Sequence, residues 1–405
     1  MAAVKKRTVT RRAAHEPGKK DNWEDLVRTG PGTPMGTIFR QYWHPVAESG
    51  WVAAGKAIPV QILGEKFTLY RSHSGRPYLV APRCPHRGTA LHVGWVEGEE
   101  IRCRYHGWKF DGAGQCTQMP AETTSFAEKV KIRSHPAADY AGLVFVYLGD
   151  GDAPDLPRKA EIDTATYTWS KIEMWPCNWL QAKENSFDPL HVNFTHRVNP
   201  LGDAVSQDLP KIEFKEEDWG FAVTALRPNG NRRVNETPFP NGTHINVPQP
   251  NDPKQPWIDL FAWSVPVDDE HHTLCKIYAS FQTGAVADEM KRFFDGITYH
   301  VPDHHDEILY QQRLPTDNVM HLTEAQDYLT QIGQGSINER SEEWLGTSDV
   351  AIIQMRKAYR REAQIVQRTG KHKRWTNRYG PANLPPPPGV PGTVRAIVPS
   401  DVPRR

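Results

Sequence analysis

The alternation of apolar and polar positions changes character several times along the chain. Residues 1 to about 20 carry Lys5, Lys6, Arg7, Arg11, Arg12, Lys19 and Lys20 with almost no large apolar side chain. Such a stretch cannot bury enough surface to fold and is expected to be a solvated tail. Apolar positions at 23–27 and 37–42 predict two short helices around Gly30-Pro-Gly-Thr-Pro-Met-Gly36. Its glycine spacing resembles a dinucleotide loop, but prolines interrupt it and no strand precedes it, so it reads as a turn. From Val60 the period becomes two: Val60 and Ile62, then Phe67 and Leu69, flank Leu63-Gly64-Glu65-Lys66, which predicts a β-hairpin. Strands are also expected at 78–81, 101–102, 108–110 and 143–148, before a linker over 149–157.

Beyond the linker the pattern predicts a strand at 167–174, a helix from 178 to about 197, and strands at 211–214 and 221–226. In a further strand at 275–281, Cys275, Ile277, Ala279 and Phe281 share one face. The Pro- and Asn-rich stretch 228–256 reads as a loop capping a pocket. A helix is expected over 350–368, with Thr347 or Ser348 as N-cap, Asp349 in its first turn and Gly370 as C-cap. Pro385 to Pro388 mark an extended tail.

With 405 residues the chain is long enough for two domains. The divisions fall at 1–47 (tail and short helices), 48–155, 156–380 and 381–405 (C-terminal tail). Lys+Arg 49 against Asp+Glu 48 leaves no bulk basic field to attract nucleic acid or a membrane surface. No apolar run approaches the roughly 18 residues that a membrane helix needs. Five cysteines without regular spacing predict a reduced, cytoplasmic protein, with Cys116, Cys177 and Cys275 as small buried hydrophobes.

The candidate chemistry begins at Cys84-Pro-His86 and Cys103-Arg-Tyr-His106. Each pair fits one tight loop, and Pro85, Gly88 and Gly107 supply the backbone freedom that wrapping a metal requires. Two thiolates and two imidazoles suit tetrahedral zinc and equally a [2Fe-2S] cluster with two His on one iron. Adding the flanking residues gives C-x-H-x-G-x-x-L followed by C-x-Y-H-G-W-x-F, which resembles a Rieske iron–sulfur site. That resemblance implies that Cys84 and Cys103 hold one iron and His86 and His106 the other. It also implies that Tyr105 and Trp108 line the cluster, the Tyr105 hydroxyl hydrogen-bonding a sulfur.

A second set, Asn185-Ser-Phe-Asp188-Pro-Leu-His191-Val-Asn-Phe-Thr-His196, contains D-x-x-H-x-x-x-x-H. Asp188 and His191 share a helix face, but His191 and His196 lie about 140° apart on an ideal helix. They converge on one metal only if the helix ends, kinks or bulges between them, and Pro189 is a second irregularity. Taken alone, the set reads as well as an N-cap Asp188 with Pro189 at the first helical position and unrelated histidines.

Together, the two sets and the stretch from Gly30 through Tyr42-Trp43-His44-Pro45 resemble the oxygenase component of Rieske non-haem iron oxygenases, in the phthalate dioxygenase-like branch. The resemblance implies an α+β fold. Residues 48–155 would form a small antiparallel β Rieske domain, and 156–380 a catalytic domain with a large antiparallel sheet covered by helices (helix-grip, START-like). It assigns His191 and His196 to a mononuclear Fe(II), with a carboxylate completing a facial triad. Among Asp303, Asp306, Asp327 and Asp349, the branch pattern points to Asp327. Asn185 and Asp188 keep the family spacing, and Asp188 would bridge a neighbouring subunit's Rieske histidine to His191.

The implied partners are O₂, an aromatic small molecule and a separate NAD(P)H-dependent reductase, within a homotrimer or a dimer of trimers. Hydroxylation of an aromatic acid is the first expectation and O-demethylation of a methoxylated aromatic the second. A carboxylate would call for an arginine, with Arg227, Arg232 and Arg233 available. A Rieske-type electron carrier and a zinc protein remain as alternatives, separable by iron and sulfide analysis and by substrate-dependent O₂ consumption.

Overall fold

A computed structural model describes residues 23–199, 208–228, 230, 232–248 and 257–376. The basic tail and the proline run expected at the two ends lie outside these residues. Two short helices open the described chain, α1 (Glu24–Val27) and α2 (Pro34–Phe39). The turn between them ends where the Thr33 hydroxyl accepts the Gly36 N–H at 3.1 Å, with Pro34 in the first turn.

Three small antiparallel sheets follow. The first is β1 (Trp43–Glu48), β11 (Leu143–Tyr147) and β10 (Ala137–Tyr140), in that order. The second runs β2 (Ala57–Ile62), β3 (Glu65–Arg71), β4 (Pro77–Val80), β9 (Ser134–His135). The third runs β5 (Trp95–Glu97), β6 (Glu100–Arg102), β7 (Lys109–Phe110), β8 (Cys116–Gln118). The expected hairpin is β2–β3, turned by Leu63 and Gly64 at φ 52 and 74. Two successive left-handed residues match the twist of the strands they join.

After α3 (Ala160–Asp163), one seven-stranded antiparallel sheet organises the rest of the chain. Its order is β12 (Tyr167–Trp175), β18 (His272–Ser280), β17 (Ile258–Pro266), β16 (Gly242–Val247), β15 (Arg232–Pro238), β14 (Gly220–Leu226), β13 (Lys211–Glu217). Cys275, Ile277 and Ala279 are fully buried on one face, where the Cys275 thiol donates to the Pro45 carbonyl and Trp263 meets Phe145 edge-on. The opposite face is covered by helices: α4 (Trp179–Phe187), α5 (Val192–Thr195), α6 (Gly284–Asp295), α7 (His305–Leu309), α8 (Val319–Ile332) and α9 (Val350–Thr369). Trp179 packs edge-on against both Phe39 and Tyr359, tying α4 to α2 and α9. No helix among the described residues is long and apolar enough to cross a membrane.

Three local readings need correction. The helix expected from 178 to about 197 ends at Phe187 and resumes for one turn at Val192. Asp188 and Pro189 cause the gap: Asp188 is extended at ψ 105, and Pro189 has no N–H to continue the ladder. The loop expected over 228–256 contains β15 and β16. Their polar residues Asn235 and Thr243 point inward, so the alternation expected of a strand is masked; residues 249–256 of that stretch are not described. The long helix starts at Val350 after a single tighter turn, so neither Thr347 nor Ser348 is its N-cap. Asp349 takes that position, and its carboxylate accepts the Gly346 N–H at 2.6 Å. Gly370 ends the helix in the left-handed region at φ 67, as expected.

Two candidate metal centres and the cavity behind one of them

The first four candidate ligands lie on two matching loops, one joining β4 to β5 and the other β6 to β7. In one, Cys84 N–H donates to Thr89 at 2.8 Å and Gly88 N–H returns to the Cys84 carbonyl. In the other, Cys103 N–H donates to Trp108 at 2.8 Å and Gly107 N–H returns to the Cys103 carbonyl. Gly88 and Gly107 both have left-handed φ, 75 and 74. The repeated turn presents two buried thiols side by side and brings the His86 and His106 rings to 4.6 Å. Burial, and then the neighbouring Cys103, pushes the Cys84 thiol up to about 12. A cation seated between the two sulfurs would favour the Cys84 thiolate.

Among the described residues His106 Nδ1 is buried without a partner, the orphaned donor atom that a metal would satisfy. This set fits a [2Fe-2S] group. His86 stacks flat on Trp108 at 4.7 Å, which fixes its plane. Tyr105 is 54% exposed, its ring lies on His106 and beneath Arg87, and among the described residues its hydroxyl meets neither cysteine.

The second set is assembled by the broken helix. The Asn178 side chain caps α4, accepting the Leu180 N–H at 3.0 Å. After Phe187 the Asp188 carboxylate accepts the Leu190 N–H at 2.8 Å, and α5 separates His191 from His196. Asp327 enters from α8, a helix started by Asn318, whose side chain accepts the Met320 N–H at 2.8 Å. Its Oδ1 lies 3.6 Å from His191 Nε2 and 3.3 Å from His196 Nε2. Ligand atoms of the three residues all fall within 4.8 Å of one another. Two imidazoles and a carboxylate at that spacing fit one ferrous ion with open positions.

Each donor is held from behind. His196 Nδ1 meets Gln326 Oε1 at 2.9 Å, and Asn199 Nδ2 donates to the same oxygen at 3.3 Å. His191 Nδ1 meets the main-chain carbonyl of Asp188, not its carboxylate, which corrects the expected carboxylate–histidine contact inside the chain. Asn185 Nδ2 donates to Asp327 Oδ1 at 3.1 Å. Both Nδ1 atoms being engaged, both Nε2 atoms face the carboxylate. Burial drives Asp327 upward but is overcome by His196, His191 and Asn185, which hold it below the usual carboxylate range. Burial lowers His191, and burial raises Asp188.

The other carboxylates considered stay apart from this set. Asp349 caps α9, and Asp303 and Asp306 stand in and after the short turn before α7. His304 stacks on Tyr299 and His305 meets the Tyr328 hydroxyl at 2.8 Å. Neither joins the triad. Gln326 and Asn199 escaped sequence reading because isolated amides carry no motif; the adjacency of Gln326 to Asp327 is the only signal they offer.

Behind the triad a cavity opens between the helices and the sheet. Trp175, Ile245, Leu260 and Leu274 form apolar walls. Arg233 reaches this cavity; it is buried, and among the described residues its Nε has no partner. Burial and then the charge of Arg227 lower it to about 10. Arg227 is buried with all three guanidinium nitrogens unpartnered but does not line the cavity, whereas Arg232 is exposed. Lys276 also lines the wall, already paired with Glu324 at 2.6 Å.

Comparisons with known proteins fall on the same features. The Rieske [2Fe-2S] domain family matches residues 42–136. The oxygenase subunit of 5,5'-dehydrodivanillate O-demethylase from Sphingobium sp. (strain NBRC 103272 / SYK-6) is 33% identical over 374 residues, 85% of this chain and 80% of the relative. Phenoxybenzoate dioxygenase subunit alpha from Ectopseudomonas oleovorans is 32% identical, covering 88% of each chain. Among solved structures, the terminal oxygenase of carbazole 1,9a-dioxygenase from Novosphingobium sp. KA1 superposes with a TM-score of 0.62 at 22% identity, over 84% of this chain and 95% of the other.

Proposed function

Because the chain belongs to the Rieske non-haem iron oxygenases, as a terminal oxygenase component, we propose that its substrate is an aromatic carboxylic acid held by Arg233 beside the iron. The observation that carries this reading is a buried guanidinium with an unpartnered Nε in a largely apolar cavity. An unpaired buried cation is costly, and a carboxylate seated on it by paired N–H···O bonds removes that cost. O-demethylation is the second reading, favoured by the 33% identity to a dehydrodivanillate O-demethylase subunit. The two outcomes differ in which substrate atom faces the triad.

In this reading Cys84, His86, Cys103 and His106 hold the cluster, and His191, His196 and Asp327 hold the iron. When bound, these groups supply single-electron transfer and O₂ activation. The protein's part is orientation: Gln326 and the Asp188 carbonyl fix the imidazole planes, Asn185 fixes the carboxylate, and the apolar walls exclude water from the ring. Residues 48–155 act as the electron-transfer domain and 156–380 as the catalytic one.

A separate NAD(P)H-dependent reductase, a head-to-tail homotrimer and a cytoplasmic setting complete the proposal. The exposed Tyr105 beside His106 and the exposed Phe194 beside the triad support a contact between subunits there, where the Asp188 carboxylate would meet a neighbour's cluster histidine. The test is a panel of benzoates and methoxybenzoates with a reductase, scoring hydroxylated product against formaldehyde. Arg233→Met should raise KM for acids by roughly 10- to 100-fold, the worth of a charged hydrogen bond, and leave the corresponding amides unaffected. Equal effects on acids and amides would refute the assignment of Arg233.

A further inference from the structure

Lys183 projects from α4 into the sheet, fully buried, and among the described residues no carboxylate reaches it. Its Nζ meets three neutral oxygens: the Gly242 carbonyl, Thr243 Oγ1 at 2.8 Å and Thr237 Oγ1 at 3.4 Å. The charged groups on the packed elements are turned elsewhere. Glu184 on α4 pairs with Arg340 and Arg356, and Glu236 on β15 meets His244 on β16. Arg233, also on β15, faces the cavity. Burial alone shifts Lys183, bringing it well below the ordinary lysine range.

The amine has a route to the cavity. Thr243 lines it, and so does Ser186, whose hydroxyl lies 3.2 Å from Thr243 Oγ1. A hydroxyl can accept from an ammonium and donate to a neutral amine, so Thr243 passes a proton in either direction by rotating.

The reaction creates a demand for protons. Arene dihydroxylation consumes O₂, two electrons and two protons to give a cis-diol. O-demethylation consumes the same set and gives a phenol, formaldehyde and water. The electrons come from the external donor through the cluster, and the protons must reach oxygen inside the cavity.

We propose that Lys183 is a proton-exchanging group of the oxygenase cavity, giving up one N–H proton through the Thr243 and Ser186 hydroxyls to oxygen being reduced there and recovering it from solvent between turnovers. The inference rests on the oxygenase reading and is indifferent to which aromatic is used. The competing view makes Lys183 a strut, its three donors spent on three acceptors, and a strut leaves the pH profile of oxygen reduction in the cavity unchanged.

The test uses the assembled, metal-loaded protein with Lys183→Met and, as a variant that keeps the amine, Thr243→Val. The first readout is urea unfolding from pH 6 to 9. A lysine depressed in the folded state leaves the unfolded chain binding more protons, so wild-type stability rises with pH across this window and Lys183→Met has the shallower slope. The second readout is O₂-dependent reoxidation of the dithionite-reduced cluster in the presence of benzoate, across the same pH range. Both variants should slow it roughly 100-fold, as loss of a general acid does, flatten its pH profile and release more peroxide per O₂. Parallel stability slopes, or an unchanged pH profile in both variants, overturn the proposal. If wild-type protein itself fails to react with any benzoate, the aromatic-acid reading falls, and peroxide released per O₂ during cluster reoxidation without substrate, compared between wild type and the two variants, still decides whether Lys183 supplies a proton.

Discussion

Replacing Gln326 with Leu removes the acceptor behind one proposed iron ligand without touching the ligand. The Gln326 Oε1 to His196 Nδ1 contact is 2.9 Å long, and both side chains are buried. An ordinary hydrogen bond of this kind contributes about 1 kcal/mol net, but stranding a buried N–H costs about 1–3 kcal/mol. The loss falls on the metal-binding tautomer, because the other tautomer moves its proton to Nε2 and turns a donor toward the iron. At about 1.4 kcal/mol per tenfold, the iron dissociation constant should rise about 10- to 100-fold, the usual range for removing a histidine's outer partner. The assay is iron retained after dialysis against a ferrous chelator, with the visible absorption of the cluster as an internal control. Gln326→Glu keeps an acceptor and makes it stronger, so it should retain iron at least as well as wild type. Wild-type retention in Gln326→Leu, or equal loss in both variants, would refute the reasoning.

Other perturbations separate the two centres. His191→Ala should abolish turnover while leaving the cluster's visible spectrum intact; loss of that colour would mean the wrong centre had been assigned. Asp188→Asn preserves the main-chain carbonyl that holds His191, so both metals should remain while electron transfer in the assembled oligomer fails; wild-type turnover would remove the bridging role. Glu324 lies between Lys276 and Lys171 at 2.6 and 3.0 Å. Burial opposes its ionisation, but the two lysines overcome that and lower it to about 2. A carboxyl depressed on folding stabilises the protein above its unfolded value of about 4.3 and loses that contribution as pH falls toward 2. Acid unfolding followed by circular dichroism should therefore be steeper over this interval in wild type than in Glu324→Gln.

The residues 84–106 needed no tertiary information. A ligand pair inside one turn is local, so Cys84-x-His86 and Cys103-x-x-His106 fix the chemistry of their site through spacing and two left-handed glycines. Pro189 was visible as an irregularity, because its missing N–H acts wherever the chain goes, but the pattern still ran one helix across the place where the chain breaks. Tyr105 stacks on His106, its neighbour in the same loop, and only its contact with Arg87 requires the two loops to close on each other.

Distance along the chain marks the limit. Asp327 stands 131 residues beyond His196, and only the packing of α8 across α4 and α5 brings it within 3.3 Å, whereas Asp303, Asp306 and Asp349 carry the same side chain and remain outside. Among three arginines of equal charge, strand alternation turned Arg233 into the cavity and left Arg232 exposed. Lys183 reads in the sequence as one more helical lysine, and its burial among neutral oxygens follows from the packing of α4 onto β15 and β16. Sequence by itself determined the donor types and the breaks in the backbone, which arise from covalent structure and near neighbours. Tertiary structure decided which donors meet and which charges go unpaired, because both depend on burial, and burial belongs to the whole fold.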